Sequence, residues 1–164
     1  MEYPWYEIVT DRTLQQGDIL EDFIINVAIP KSTEIEPQIY NVIVMSQSCD
    51  IAEAKYIILC PIWTRQEIEK DDPDFFKAGK VGHLKNYRIV GWHPINKCEL
   101  AGFEHPWRVV QFWRILEVIK DEVEAHINSV GKHLRLLSPY RENLSQDFAR
   151  FFMRVGLPKP LELS

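Results

Sequence analysis

Apolar and polar positions follow short β-type runs through most of the chain and change to helical spacing only near its end. The turn Gly17-Asp18-Ile19-Leu20 leads into a run from Phe23 to Ile29, which Pro30 closes. The polar stretch from Lys31 to Gln38, with Pro37 inside it, predicts a loop. The two strands richest in Val and Ile follow, Tyr40 to Met45 and Lys55 to Pro61. Pro61 has no backbone N–H and is expected at a strand end or a sheet edge. Thr64 to Lys70 reads as a short helix stopped by Asp71-Asp72-Pro73, and Gly79 and Gly82 weaken any helix over 74–86. Tyr87 to Trp92, Trp107 to Ile115 and Leu134 to Leu137 read as further strands, with Pro94 to Pro106 an irregular excursion.

The spacing predicts a C-terminal helix over 139–155. Ser138 is a good N-cap residue and Pro139 suits the first helical position. Leu144, Phe148, Phe151, Phe152 and Val155 recur at three- and four-residue steps as one apolar stripe, while Arg141, Asn143, Asp147, Arg150 and Arg154 take the other face. Gly156 then supplies a C′ residue, and Pro158 prevents continuation. With no internal repeat, low-complexity tract or linker, 1–164 reads as one domain: a mainly β body over about 15–137, closed by the helix.

Composition narrows the function classes. A chain of 164 residues with 46% hydrophobic and 26% charged positions can bury an ordinary core without staples. A net charge of -5 argues against indiscriminate attraction to nucleic acid, which needs a basic surface to displace counterions. There is no apolar run of about 18 residues to span a membrane, and Met1-Glu2-Tyr3-Pro4-Trp5 lacks the pattern of a signal peptide. Three widely spaced cysteines give no disulfide framework, so a reducing cytoplasm is the expected location.

The densest candidate chemistry is Ser46-Gln47-Ser48-Cys49-Asp50, where a core strand runs into small polar residues, a thiol and a carboxylate. Cys49 as a nucleophile would need a depressed pKa and a base within reach. His83, His93 and His105 are present, but none is tied to Cys49 by spacing, and Asp50 disfavours a thiolate. The structural alternative buries Cys49 as a small hydrophobe and uses Asp50 to hold turn amides. No two Cys or His residues have the paired spacing of structural zinc, so neither metal nor cofactor is expected. Trp107-Arg108 and Phe112-Trp113-Arg114 interleave cations with aromatics, as a single-stranded nucleic-acid surface does. The alternative is an alternating strand, with Val109 and Gln111 partly exposed and the aromatics in the core.

Gln16-Gly17-Asp18-Ile19, Asn41-Val42-Ile43-Val44-Met45-Ser46 and Ile57-Ile58-Leu59-Cys60-Pro61-Ile62 together resemble the opening of the MazF/PemK-like toxins. Val109 to Ile115 is similar to their late strand. The resemblance implies an SH3-like β-barrel with packed helices, in a group many of whose members cleave single-stranded RNA without a metal. It also implies lost machinery. The place of the toxins' catalytic arginine holds Tyr40-Asn41, and that of their catalytic threonine holds Trp63, with Thr64 one residue late. The run Pro139 to Pro158, with Ser-Gln-Ser-Cys-Asp, resembles a group of bacterial proteins without an assigned activity.

The expectation is therefore an α+β, mainly β, SH3-like barrel with a packed C-terminal helix. It would act as a non-catalytic binding module whose contact residues are Gln47, Ser48, Cys49, Asp50, Arg108 and Arg114. The expected partner is a protein segment or a small ligand, with no membrane involved. RNA binding or cleavage is the first alternative and a Cys49-dependent hydrolase the second. Nothing in the sequence sets the oligomeric state, and a homodimer stays open.

Overall fold

Residues 3–77 and 79–153 are described by the computed structural model. In chain order the elements are β1 (Tyr6–Val9), β2 (Asp18–Ala28), β3 (Ile35–Val44), α1 (Ser48–Ile51), β4 (Tyr56–Thr64), α2 (Arg65–Asp71), α3 (Lys80–Lys85), β5 (Trp92–Ile95), β6 (Arg108–Gln111), β7 (Leu116–Ile119), α4 (Lys120–Val130), β8 (His133–Leu136) and α5 (Tyr140–Phe152). The fold is α+β and mainly antiparallel sheet. Its strand order is β1-β8-β2-β3-β4-β6-β5, with β7 also paired to β4.

The sheet is open: among the described residues no ladder joins β1 to β5. The two ends nevertheless share a core. Tyr6 of β1 and Ile95 of β5 belong to one buried cluster with Ile19, Ile43, Ile62, Val110, Phe112 and Leu136. The Tyr6 hydroxyl donates to the Asn96 carbonyl at 2.6 Å, a side-chain link where a barrel would have a ladder. Leu144 of α5 is fully buried in this cluster, with Phe148 and Phe151 packed against it. A second cluster fills the opposite face, where Phe23, Tyr40, Val42, Val44, Leu59 and Val118 meet Val123 and Ile127 of α4. A third packs Ile68, Phe75, Phe76 and Leu84 over Val109.

Several elements depart from the sequence pattern. Ile35 to Gln38 continues β3 instead of forming a loop, because Glu36, Pro37 and Gln38 pair with Val27, Asn26 and Ile25 across a long hairpin. Pro61 lies inside β4, buried and opposite Val42. It stands where β4 changes neighbours, since Leu59 is the last residue paired to β7 and Ile62 the first paired to β6. A residue without an N–H is tolerated at such a break. The strand expected over Tyr87 to Trp92 begins instead at Trp92 and runs through Pro94, into the supposed excursion. In the expected alternating strand Gln111 is partly exposed and Phe112 is in the core, but Val109 is fully buried, because it faces the third cluster, and Trp113 is exposed. In the C-terminal helix Pro139 occupies the cap position with no side-chain cap bond, so Ser138 does not cap it. Phe152 is half exposed at the edge of the stripe, its ring packed edge-on against Phe148 and Phe151, whereas Arg154, Val155, Gly156 and Pro158 lie outside the described residues. No helix among the described residues is long and apolar enough to cross a membrane.

Candidate oxyanion-binding cleft

A register shift between Leu20 and Phe23 puts a bulge in β2, with Asp22 at φ 51° and its amide donating to Asn41 Oδ1 at 3.0 Å. Bulges re-aim neighbouring side chains. Here Glu21, inside the bulge, accepts from Arg108 Nη1 at 2.8 and 3.0 Å through its two carboxylate oxygens. Arg108 starts β6 opposite Thr64, the last residue of β4. Around these residues opens a cleft of about 710 Å³, walled by Glu21, Asp22, Asn41, Thr64, His105, Arg108, His126, Lys132 and His133 among others.

Arg108 is only 2% exposed. Its Nη1 is spent on Glu21, but Nε and Nη2 are buried with no hydrogen-bond partner among the described residues. Those two groups form one edge of the guanidinium, the fork that takes two oxygens of a carboxylate or phosphate side by side. A buried donor left unmade costs about 1–3 kcal/mol, and more when it is charged. An unfilled fork therefore calls for a partner.

The histidines of the cleft differ in role. His105 Nδ1 lies 2.7 Å from the Pro106 carbonyl, which can only accept, so Nδ1 carries the proton and Nε2 presents a lone pair. That Nε2 is buried without a partner. Burial, and then the charge of Arg108, hold the His105 imidazole below its ordinary pKa. Both ring nitrogens of His133 also lack a hydrogen bond. Its Nε2 lies 3.3 Å from Asp18 Oδ2, a contact distance without the alignment of a hydrogen bond. His126 packs edge-on to Phe23 and is held low by burial, against the opposing pull of the Glu21 backbone and of Asp22.

A buried hydrogen-bonded network lies beside this cleft. Asp18 is fully buried and accepts from Arg135 Nε at 2.5 Å, from Arg135 Nη2 at 3.1 Å and from the Gln15 amide at 2.8 Å. Arg135 also donates to the Thr13 carbonyl at 2.8 Å. Asp18 and Arg135 are opposed across β2 and β8, so the pair locks the strand that carries His133.

Of the six contact residues expected from the sequence, Arg108 alone lines this cleft. Gln47, Ser48, Cys49 and Asp50 are all exposed around the short α1. Gln47 Nε2 donates to Ser145 Oγ, and Ser48 Oγ accepts from the Gln16 amide, so both tie the corner to its surroundings. Cys49 is not a buried hydrophobe: its thiol reaches Asp50 Oδ1 at 3.4 Å, and that hydrogen bond, with the carboxylate's charge, raises the thiol pKa. Arg114 lies elsewhere, stacked over the Tyr40 ring at 4.7 Å and donating to its hydroxyl. Glu21, His126 and His133 join His105 and Arg108 from three other stretches of chain, β2, α4 and β8. Only the proximity of His105 to Arg108, three residues apart, was a signal in the sequence.

Among the described residues no group of three or more His, Cys, Asp or Glu is arranged to hold a metal. The chain matches no protein-family model and no curated protein.

Proposed function

We propose that the protein is a binding module that captures an oxyanion-bearing ligand, or a partner segment carrying such a group, on Arg108. The observation that carries this reading is the buried Nε and Nη2 edge of Arg108, unfilled on a residue that lines a ligand-sized cleft. The surrounding fold is read as an opened SH3-like barrel. The core shared by β1 and β5 and the Tyr6–Asn96 link between their ends support that reading. Free Cys49, Cys60 and Cys98 fit a reducing compartment, the cytoplasm in this reading. Thermal-shift titration with sodium phosphate and with sodium acetate, at constant ionic strength, tests the proposal. A ligand at about 100 times its Kd adds about 2.7 kcal/mol of stability, so Tm should rise with at least one anion and stay flat in Arg108→Met. A flat response of the native chain to both anions ends the reading.

RNA cleavage is the second reading, and one observation favours it. Asn41 and Thr64, near the positions matched to the toxins' arginine and threonine, line the same cleft into which β6 brings Arg108. A guanidinium could thus serve a transferring phosphate from a different strand. The Thr64 hydroxyl, however, is held in a capping box with Glu67. Incubation with single-stranded RNA in EDTA decides the matter, and RNA left intact by excess protein removes this reading.

A further inference from the structure

Resting on the capture of an oxyanion at Arg108, we infer that the bound group is a phosphoryl group that still carries a proton, as hydrogen phosphate or a singly protonated phosphate monoester does. The inference comes from opposite hydrogen-bond roles meeting in one cleft. Arg108 offers two parallel donors. His133 offers at least one N–H whatever its protonation state, and Lys132 stands on the same wall. A carboxylate has only two oxygens, which the fork alone would fill; a phosphoryl group has a third for the remaining donors.

His105 supplies the discriminating contact. Its Nδ1 proton is committed to the Pro106 carbonyl, so Nε2 is a buried acceptor without a donor, on a residue that lines the cleft. Sulfate, acetate and a phosphodiester carry no proton near neutral pH and would set an oxygen lone pair against that nitrogen. A P–OH donates to it. Glu21, Asp22 and Glu104 further along the walls likewise disfavour a fully ionised guest and accept hydroxyls of an organic remainder. A cleft of about 710 Å³ has room for such a remainder, so a phosphorylated polyol fits as well as the free ion.

The test is isothermal calorimetry on the full chain at one pH, near the second ionisation of a phosphate monoester at about 6. The ligands are inorganic phosphate, ribose 5-phosphate, dimethyl phosphate, sulfate and acetate. Comparing them at one pH holds the protonation of the protein fixed across the ligands. Expected is binding of inorganic phosphate or ribose 5-phosphate at least about tenfold tighter than sulfate, acetate or dimethyl phosphate, the worth of one charge-assisted hydrogen bond. Tighter binding of ribose 5-phosphate than of inorganic phosphate assigns the ligand to the monoester class, and the reverse assigns it to the free ion. In His105→Phe the phosphate-to-sulfate ratio should fall to near unity while Arg108 still binds both. Sulfate binding as tightly as phosphate to the native chain overturns the protonated-phosphoryl inference and leaves the oxyanion reading standing. No binding of any of the five overturns both. Because the native ratio is decisive, a His105→Phe chain that fails to fold does not rescue the inference.

Discussion

The corner at Gln47–Asp50 and the cleft at Arg108 are both polar clusters, yet they hold their polar groups in opposite ways. The corner is exposed and its side chains have taken neighbouring partners: Ser145 for Gln47, the Gln16 amide for Ser48 and Asp50 for Cys49. The cleft keeps a charged fork and imidazole nitrogens buried and unfilled. Water solvates the first cheaply, whereas the second carries a standing cost that only a guest or an ordered solvent molecule removes. A high density of reactive residue types marks the corner, and unmet demand marks the cleft. The second criterion points to function more directly.

The largest expected effect breaks the network beside the cleft. Asp18→Asn leaves the buried Arg135 charge short of its partner and should cost roughly 3–5 kcal/mol of stability, read as a lowered urea midpoint. A loss under about 1 kcal/mol would mean that the Asp18–Arg135 pair does not lock the strand that carries His133. Arg108→Lys keeps the charge, loses the fork, and should weaken oxyanion binding by about 1.5–3 kcal/mol. Affinity equal to that of the native chain would return the corner to first place.

Acid sharpens the comparison next. His93 is almost fully buried against Phe112, with Nδ1 2.8 Å from Asp147. Burial lowers the pKa of His93, His105 and His126 from the ordinary 6.5, with Asp147 partly opposing the shift at His93. The unfolded chain then binds more protons than the folded one as pH falls through about 6.5, so stability should decline from about pH 7 to pH 5. His93→Gln should flatten that slope, and an unchanged slope would assign it to other groups. The smallest effect belongs to the corner. Cys49→Ser should change stability by no more than about 0.5 kcal/mol and leave anion binding intact, and Cys49 should label with iodoacetamide no faster than free cysteine at neutral pH. Fast labelling would revive the thiol chemistry that Asp50 opposes.

How much of this was legible in the sequence depended on whether the signal was local. The Val- and Ile-rich runs of β3 and β4 and the short helix closed by Asp71-Asp72-Pro73 all stand where the residue pattern puts them. α4 was not anticipated, because only Val123 and Ile127 of its eleven residues are buried, too narrow a stripe to stand out among charges. β1 is four residues long with two exposed positions, equally faint. The cleft was legible in one residue only. Arg108 could be picked out beside Trp107, but its meeting with Glu21 depends on a bulge, and its meeting with His133 depends on β8 lying next to β2. Neither pairing is encoded by spacing along the chain.

The open sheet raises a question of self-association that the chain meets at the two terminal strands of its path. An outer strand offers bare amides and carbonyls to any neighbouring copy, the first step toward stacked aggregates. The two terminal strands of the path, β1 and β5, are only four residues long, and β5 carries Pro94, which has no amide hydrogen to offer a newcomer. An open sheet can in this way blunt its terminal strands, and replacing Pro94 with valine would remove part of that protection.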